Sequence, residues 1–231
     1  MCVTLVTNIG GLNAREAAMQ IAVLGTGIVG RTLAGGLTRL GHQVRIGTRD
    51  PSETRTRAEF ADGDIDLAAY DDAVRDADLV VNATAGQAAL TVLGSVGADL
   101  LAGKVVVDVS NPLDFSQGFP PTLSVKDTDS LAEQIQRAFP QARVVKTLNT
   151  VNAAVMVDPG RVGDGDTSVF VAGDDASARS AVVELLRGLG WQDVIEFDEL
   201  SAARGMEMWL PFWVRLMGRL GTADFNLKII R

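Results

Sequence analysis

The sequence predicts a doubly wound α/β fold, built on a mostly parallel sheet and completed by a C-terminal helical segment. Three observations predict it. Short apolar runs alternate with helical patterns along the chain, the first run ends in Gly25-Thr26-Gly27-Ile28-Val29-Gly30, and the stretch 201–220 is long, helical and heavily apolar. Strands regularly separated by helices pair in parallel and are covered on both faces, because each crossover helix packs back onto the sheet.

The elements follow in order. Ile21-Ala22-Val23-Leu24 is a continuous apolar run, as a buried strand requires. Beyond the glycines, Leu33, Ala34, Leu37 and Leu40 recur at helical spacing, and Gly41 stops that helix. Residues 43–47 form the next strand, making a strand, glycine turn, helix and strand: one βαβ unit. Further strands are predicted over 78–84, 104–109, 143–149 and 168–173, with helices over 130–139 and 178–189 and a short edge strand at 192–195. Met206, Met208, Trp209, Leu210, Phe212, Trp213, Leu216, Met217 and Leu220 load the last helical stretch, which Pro211 should kink. So apolar a surface reads as core over the sheet, as a dimer face or as a wall of a substrate cleft.

Composition narrows the function classes. The 231 residues are 47% apolar and 22% charged, enough for one sizeable core. A net charge of −8 argues against nucleic acid, which needs a basic surface, but leaves room for one arginine to hold one phosphate. The single cysteine, Cys2, allows no intrachain disulfide and no cysteine metal cluster, in keeping with a cytoplasmic address. No metal site is expected. No apolar run approaches the roughly 18–20 residues that span a bilayer, so no membrane association is expected either. Residues 1–18 lack a secretion-signal pattern and read as a disordered extension, with Met19 as an alternative start. A single dinucleotide-binding domain is expected over 19–231, its C-terminal helical region beginning near residue 200.

Gly25, Gly27 and Gly30 gain meaning from their place between a strand and a helix. The first permits the tight turn, the second lets a pyrophosphate approach the backbone, and the third lets the helix pack closely. The helix N-terminus adds N–H donors and partial positive charge. This is the Rossmann-type dinucleotide site, and Thr26, Ile28 and Val29 belong to the same turn. The end of the second strand selects the cofactor. Where NAD enzymes place a carboxylate for the ribose hydroxyls, this chain has Gly47-Thr48-Arg49. A guanidinium and a hydroxyl suit the 2′-phosphate of NADP, and one charge-assisted hydrogen bond of about 1.5–3 kcal/mol is a preference of roughly 10- to 150-fold. Asp50 and Pro51 read as a helix cap and first helical residue. Arg55 is a candidate second charge for the phosphate, or an ordinary solvated arginine.

Side chains for acid–base chemistry are scarce. His42, the single histidine, falls in the turn at the end of the sheet opposite the glycine loop. Tyr70 is followed four residues later by Val74, not lysine, and Lys146 lies on a strand whose alternation can turn it either way. Hydride transfer between a nicotinamide and a flavin or deazaflavin fits this economy, since it depends on stacking and orientation. The strand-end segments 82–86, 110–113 and 149–153 lie where α/β sheets bind ligands, and they are small or polar. Ala83 and Thr84 are therefore assigned to the cofactor, and Asn111, Pro112 and Leu113 to the acceptor.

The glycine loop, Gly41-His42-x-Val44-x-Ile46-Gly47-Thr48-Arg49, residues 144–150 and Gly221-Thr222-Ala223-Asp224-Phe225-Asn226-Leu227-Lys228 together resemble the NADPH-dependent reductases of coenzyme F-420, over residues 20–231. The resemblance implies NADP(H) held by Thr48 and Arg49, and a nicotinamide and deazaflavin pocket lined by Asn149, Thr150, Val151 and Ala153. It further implies Phe225 closing over the nicotinamide, and a homodimer using the C-terminal helices. The family's usual histidine is replaced here by Asn149. An Asn-Thr pair at this point is similar instead to the reductase domain of the STEAP metalloreductases, which pass hydride from NADPH to a flavin. The expected function is hydride exchange between NADP(H) and F-420. The alternatives are reduction of FMN, FAD or another small acceptor, and a non-catalytic NADPH-binding regulator.

Overall fold

The computed structural model describes residues 18–61 and 65–231. The extension expected over 1–18 lies outside the described residues but for Ala18. The described residues open with β1 (Gln20–Leu24), α1 (Ile28–Arg39) and β2 (Gln43–Thr48), the expected βαβ unit. It continues through α2 (Pro51–Arg55), β3 (Asp66–Ala69), α3 (Tyr70–Arg75) and β4 (Leu79–Asn82) to α4 (Gly86–Val96) and α5 (Ala98–Leu101). Then come β5 (Val105–Asp108), a small hairpin of β6 (Leu113–Asp114) and β7 (Thr122–Leu123), α6 (Leu131–Ala138) and β8 (Arg143–Thr147). The remainder is α7 (Ala153–Val157), β9 (Ser168–Ala172), α8 (Ala176–Gly188), β10 (Asp193–Phe197), α9 (Ala203–Met208) and α10 (Leu210–Leu220).

Eight strands form one sheet in the order β10-β9-β8-β5-β4-β1-β2-β3. The order reverses between β1 and β4, and beyond the carboxyl ends of the strands at such a reversal is where open α/β sheets form their ligand crevice. All pairings are parallel except β8 with β9, where Lys146 faces Ala172 and Thr147 faces Val171. The sheet is thus mostly parallel, as expected, but β9 and β10 run backwards. The reason lies in the connection: the segment after β8 stays at the carboxyl end of the sheet, so the next strand enters from that end. Its short helix α7 packs on α1 so closely that a Cβ at Gly36 would stand 2.5 Å from Val157 Cγ1.

Two apolar layers cover the sheet. One contains Leu33, Leu37, Val155, Val182 and Trp191 against Ile21, Val23, Val145 and Val169; the other contains Val74, Leu93, Ile135 and Leu200 against Ala22, Leu24, Val80 and Val144. The odd–even split along β1 is what a strand buried on both faces requires. Asp50 caps α2, accepting from the Glu53 N–H at 2.9 Å, with Pro51 in the first turn. His42 accepts the Met19 N–H through Nδ1 at 3.3 Å, a structural duty at the amino end of the sheet. Pro211 divides the final apolar stretch into α9 and α10. Met206, Leu210 and Val214, spaced one turn apart, face the core, while Met208, Phe212 and Leu220 are exposed. No described helix is long and apolar enough to cross a membrane.

Candidate functional site

The glycine turn follows β1 at the point of strand reversal. Gly25 has φ 127°, and a Cβ there would meet the Ala83 carbonyl oxygen at 2.5 Å, so both the turn and the neighbouring strand end demand glycine. A Cβ on Gly30 would fall on the carbonyl oxygen of Gly25, which is why the helix can lie so close. Gly27 differs. Its backbone is ordinary, at φ −73° and ψ 179°, and a Cβ there would meet nothing within 4 Å. Neither conformation nor packing explains this glycine, but a ligand resting on the backbone would.

The helix that starts there is ready for an anion. Neither α1 nor α4, the two helices flanking the crevice, has a side-chain cap or an acid in its first turn. By contrast α2, α6, α7 and α8 are capped by Asp50, Ser130, Asn152 and Asp175. The first N–H groups of α1 and α4 are therefore free of protein side chains. Ile28 is 68% exposed beside them, an apolar side chain at the mouth of the turn, with Val29 half-buried behind it.

Basic groups gather at the same end. The Gly25 N–H donates to the Gly47 carbonyl at 3.3 Å, so Thr26 and Thr48 leave adjacent strands side by side. Arg49 follows in the open, with no acidic partner among the described residues. The Thr48 hydroxyl is buried and shared with that of Thr54 at 2.7 Å, which leaves Arg49 as the exposed polar group of the pair. Arg55 must be corrected: its guanidinium donates to the Phe60 and Ile65 carbonyls at 3.3 and 2.7 Å and braces the following loop instead of supplying charge at this end. The helix ends after five residues, and the turn beyond it sends Arg57, unnoticed in the sequence, back to Thr26 Oγ1 at 3.0 Å. Arg31 donates to the Thr26 carbonyl at 2.8 Å.

The three strand-end segments do converge. Thr84 donates through Oγ1 to Asn82 Oδ1 at 2.7 Å, and a Cβ on Gly86 would fall on the Asn111 carbonyl oxygen. Asn111 and Asn149 exchange hydrogen bonds: Asn149 Nδ2 donates to Asn111 Oδ1 at 2.9 Å, and Asn111 Nδ2 donates to the Asn149 carbonyl at 3.0 Å. Asn149 Nδ2 also donates to the Met206 carbonyl at 3.0 Å, leaving its Oδ1 buried without a partner. Leu148, just before it, has φ 58°, a strained backbone for a branched residue. Pro112 is buried and Leu113 half-buried at the base of the hairpin. Ala153 is half-buried at the first turn of α7, but Val151 is a core residue at 5% exposure, so only its backbone can face a ligand.

The C-terminal strap crosses this region. Asn152 Nδ2 donates to the Ala223 carbonyl and to Asp224 Oδ1, and Arg161 pairs with Asp224 at 3.1 Å. Phe225 stacks on Trp213, with ring centroids 5.1 Å apart. Beside it, Thr150, Phe170, Phe197, Met206, Trp209 and Leu227 line an open apolar pocket of about 430 Å³.

Below the strand ends lies a charged cluster that the sequence left unresolved. Lys146 points inward, fully buried, with Nζ 2.8 Å from Asp108 Oδ2, 2.8 Å from Glu207 Oε1 and 2.6 Å from the Ser110 carbonyl. Burial alone would lower the Lys146 pKa; the attraction of Asp108 and then Glu207 outweighs it and holds the ammonium above its ordinary value. Burial pushes the Glu207 carboxyl up, against the pull of Lys146 and of the Leu131 N–H. Glu207 was hidden because it sits among apolar neighbours; a lone acid between Met206 and Met208 was the available signal. No cluster of potential metal ligands occurs among the described residues.

The family model described as NADP oxidoreductase, coenzyme F420-dependent, matches residues 20–112. The F420-dependent NADP reductase of Methanothermobacter marburgensis is 30% identical over 209 residues, covering 86% of this chain and 92% of that protein. The chain belongs to the family of coenzyme F420-dependent NADP oxidoreductases. A crystal structure of a candidate F420-dependent NADP reductase from Arthrobacter sp. FB24 is 58% identical, with a TM-score of 0.90 over 93% of this chain and all of that one. Similarity also extends to the metalloreductase STEAP3 of Rattus norvegicus, 29% identical over 203 residues. There the chain spans only 38% of the relative's length.

Proposed function

We propose that residues 19–231 act as one NADP-binding oxidoreductase unit that exchanges hydride between NADP(H) and the deazaflavin coenzyme F-420. The observation that carries this reading is the empty space above Gly27, at an uncapped helix N-terminus on the strand-reversal crevice. The pyrophosphate rests there on the N–H groups of Gly27, Ile28 and Val29. Arg49 holds the 2′-phosphate, with Thr48 shaping the strand end and Arg57 adding charge from beyond Thr26. Ala83, Thr84, the backbone of Val151, Ala153 and Phe225 bound the nicotinamide side. Asn111, Pro112, Leu113, Asn149 and Thr150 bound the acceptor side.

When bound, the dinucleotide supplies or takes the hydride, the deazaflavin is its counterpart, and one proton from solvent balances the charge. The residues of this chain bind, orient and exclude water; no side chain is assigned a covalent or acid–base step. The reaction belongs to the cytoplasm, where NADPH is supplied, and the exposed Met208, Phe212 and Leu220 mark the face by which two copies form a homodimer. Mixing purified protein with NADPH and F-420 tests the reading through loss of the deazaflavin absorbance; an unchanged spectrum across the pH range rejects it.

A second reading is favoured by one residue. Asn149 stands where the family's usual histidine would be, and its amide is committed to Asn111 and Met206. This supports FMN or FAD as acceptor. Turnover on flavin without turnover on F-420 would select it.

A further inference from the structure

The buried cluster around Lys146 connects every segment assigned to the acceptor. Lys146 uses all three ammonium hydrogens, on Asp108, Glu207 and the Ser110 carbonyl. The other oxygen of Asp108 accepts from Asn82 Nδ2 at 2.8 Å, from Ser110 Oγ at 2.6 Å and from the Ser110 N–H at 3.2 Å. Asn82 in turn accepts from Thr84. On the far side, Glu207 accepts the N–H groups of Leu131 and Ala132 at 2.8 and 3.2 Å, so one carboxylate joins α9 to the first turn of α6. Its neighbour Met206 offers the carbonyl that holds Asn149.

This is a costly way to fill a core. Two carboxylates and one ammonium, all at 1% exposure or less, must be stripped of water, and well-packed apolar side chains generally do the same job at no loss of stability. What apolar side chains do not supply is direction. The three ammonium bonds fix one carbonyl and two carboxylates in place; Ser110 directly precedes Asn111, and Glu207 directly follows Met206, whose carbonyl accepts from Asn149 Nδ2.

We propose that Lys146 and Glu207 are positioning residues: through the Ser110 carbonyl and the Met206 peptide they hold the Asn111–Asn149 pair in the geometry that a flat tricyclic acceptor requires. Neither touches the acceptor. The inference rests on the hydride-transfer function proposed above, and it assigns to these two residues control of acceptor binding and orientation; on the dinucleotide side the network reaches Thr84, through Asn82, and not the residues that hold the phosphates. The glycine turn and Arg49 share no hydrogen bond with the cluster among the described residues.

The test uses the full chain and two substitutions. Glu207→Gln keeps the shape and an acceptor for the Leu131 N–H but removes the charge; Lys146→Met removes the ammonium at similar length. NADPH binding sites per protein, titrated by fluorescence, count the folded fraction, and steady-state rates are normalised to it. The expected result is an unchanged NADPH dissociation constant with an acceptor KM raised about 10-fold or more, because small misplacements of an orienting group are felt steeply. A purely structural cluster would lower the folded fraction and leave both constants of the remaining protein unchanged, and that result overturns the inference. Should Lys146→Met not fold, Glu207→Gln alone decides. A wild-type protein that turns over neither F-420 nor FMN overturns the function itself. Turnover of either one with wild-type acceptor KM in Glu207→Gln overturns only the positioning role.

Discussion

Asn111 and Asn149 grip each other across the carboxyl ends of β5 and β8, side chain to side chain at 2.9 Å and side chain to backbone at 3.0 Å. The grip leaves Asn149 Oδ1 as a buried acceptor without a partner. Removing the amide should be felt locally. Asn149→Leu strands the Met206 carbonyl and Asn111 Oδ1, and unfolding in denaturant should show a loss of about 1–3 kcal/mol. NADPH affinity should hold, since the dinucleotide's phosphates lie elsewhere; a matching loss of NADPH affinity would show that the two halves are not separable.

Two glycines three residues apart should respond in opposite ways. Gly27→Ala adds a methyl that meets no protein atom, so the thermal midpoint should stay or rise slightly, by the equivalent of about 0.5 kcal/mol, as the unfolded chain loses freedom. NADPH affinity should nevertheless fall at least about 10-fold, because the methyl takes the place of the pyrophosphate. In Gly30→Ala the methyl falls on the Gly25 carbonyl oxygen, and calorimetry should show a destabilisation of about 1–3 kcal/mol or more. Equal affinity of Gly27→Ala and wild type would remove the main support for a ligand at this turn.

Arg49→Ala should erase most of the preference for the phosphorylated dinucleotide. Losing one charge-assisted hydrogen bond of about 1.5–3 kcal/mol lowers kcat/KM for NADPH roughly 10- to 150-fold and leaves NADH almost untouched. Arg57→Ala should act in the same direction but less, since that guanidinium already has Thr26 Oγ1 as partner. Arg55→Ala should spare cofactor preference and loosen the loop after α2, because its bonds go to Phe60 and Ile65. Competition kinetics with the two dinucleotides separates these outcomes.

Acid should release the C-terminal strap at one carboxylate. The Ser168 hydroxyl, followed by Lys228 and Arg231, holds the Asp193 carboxyl down at about 2, below its ordinary 3.8. A depressed folded-state value stabilises the docked strap fully above the unfolded value and loses that contribution as pH falls from about 3.8 toward about 2. Exchange of the Ile229 N–H, bonded to Ser168 Oγ at 2.9 Å, should accelerate across that window beyond the intrinsic pH dependence. Asp193→Asn should show the faster exchange already at neutral pH; protection equal to wild type would contradict the assignment.

Much of the fold was legible because its signals are local. The apolar run of β1, the helical spacing of Leu33 and Leu37 and the Asp50-Pro51 cap each lie within one or two turns of chain, where covalent geometry and burial dictate the pattern. The Thr48-Arg49 pair and the three glycines were readable for the same reason: they occupy one βαβ unit. The edge strand at 193–197 was anticipated within two residues, whereas β3 was missed, being short and only half-buried.

By itself, then, the amino-acid order determined the alternating architecture, the glycine turn at the strand reversal and an arginine in place of a carboxylate, all properties of neighbouring residues. Only the tertiary structure decided the backward run of β9, the turning of Arg57 instead of Arg55 toward Thr26, and the inward Lys146 caught between Asp108 and Glu207. These depend on groups brought together from distant parts of the chain. A buried lysine finds its direction from the carboxylates that two separate elements, β5 and α9, deliver, and no pattern within one strand encodes that meeting.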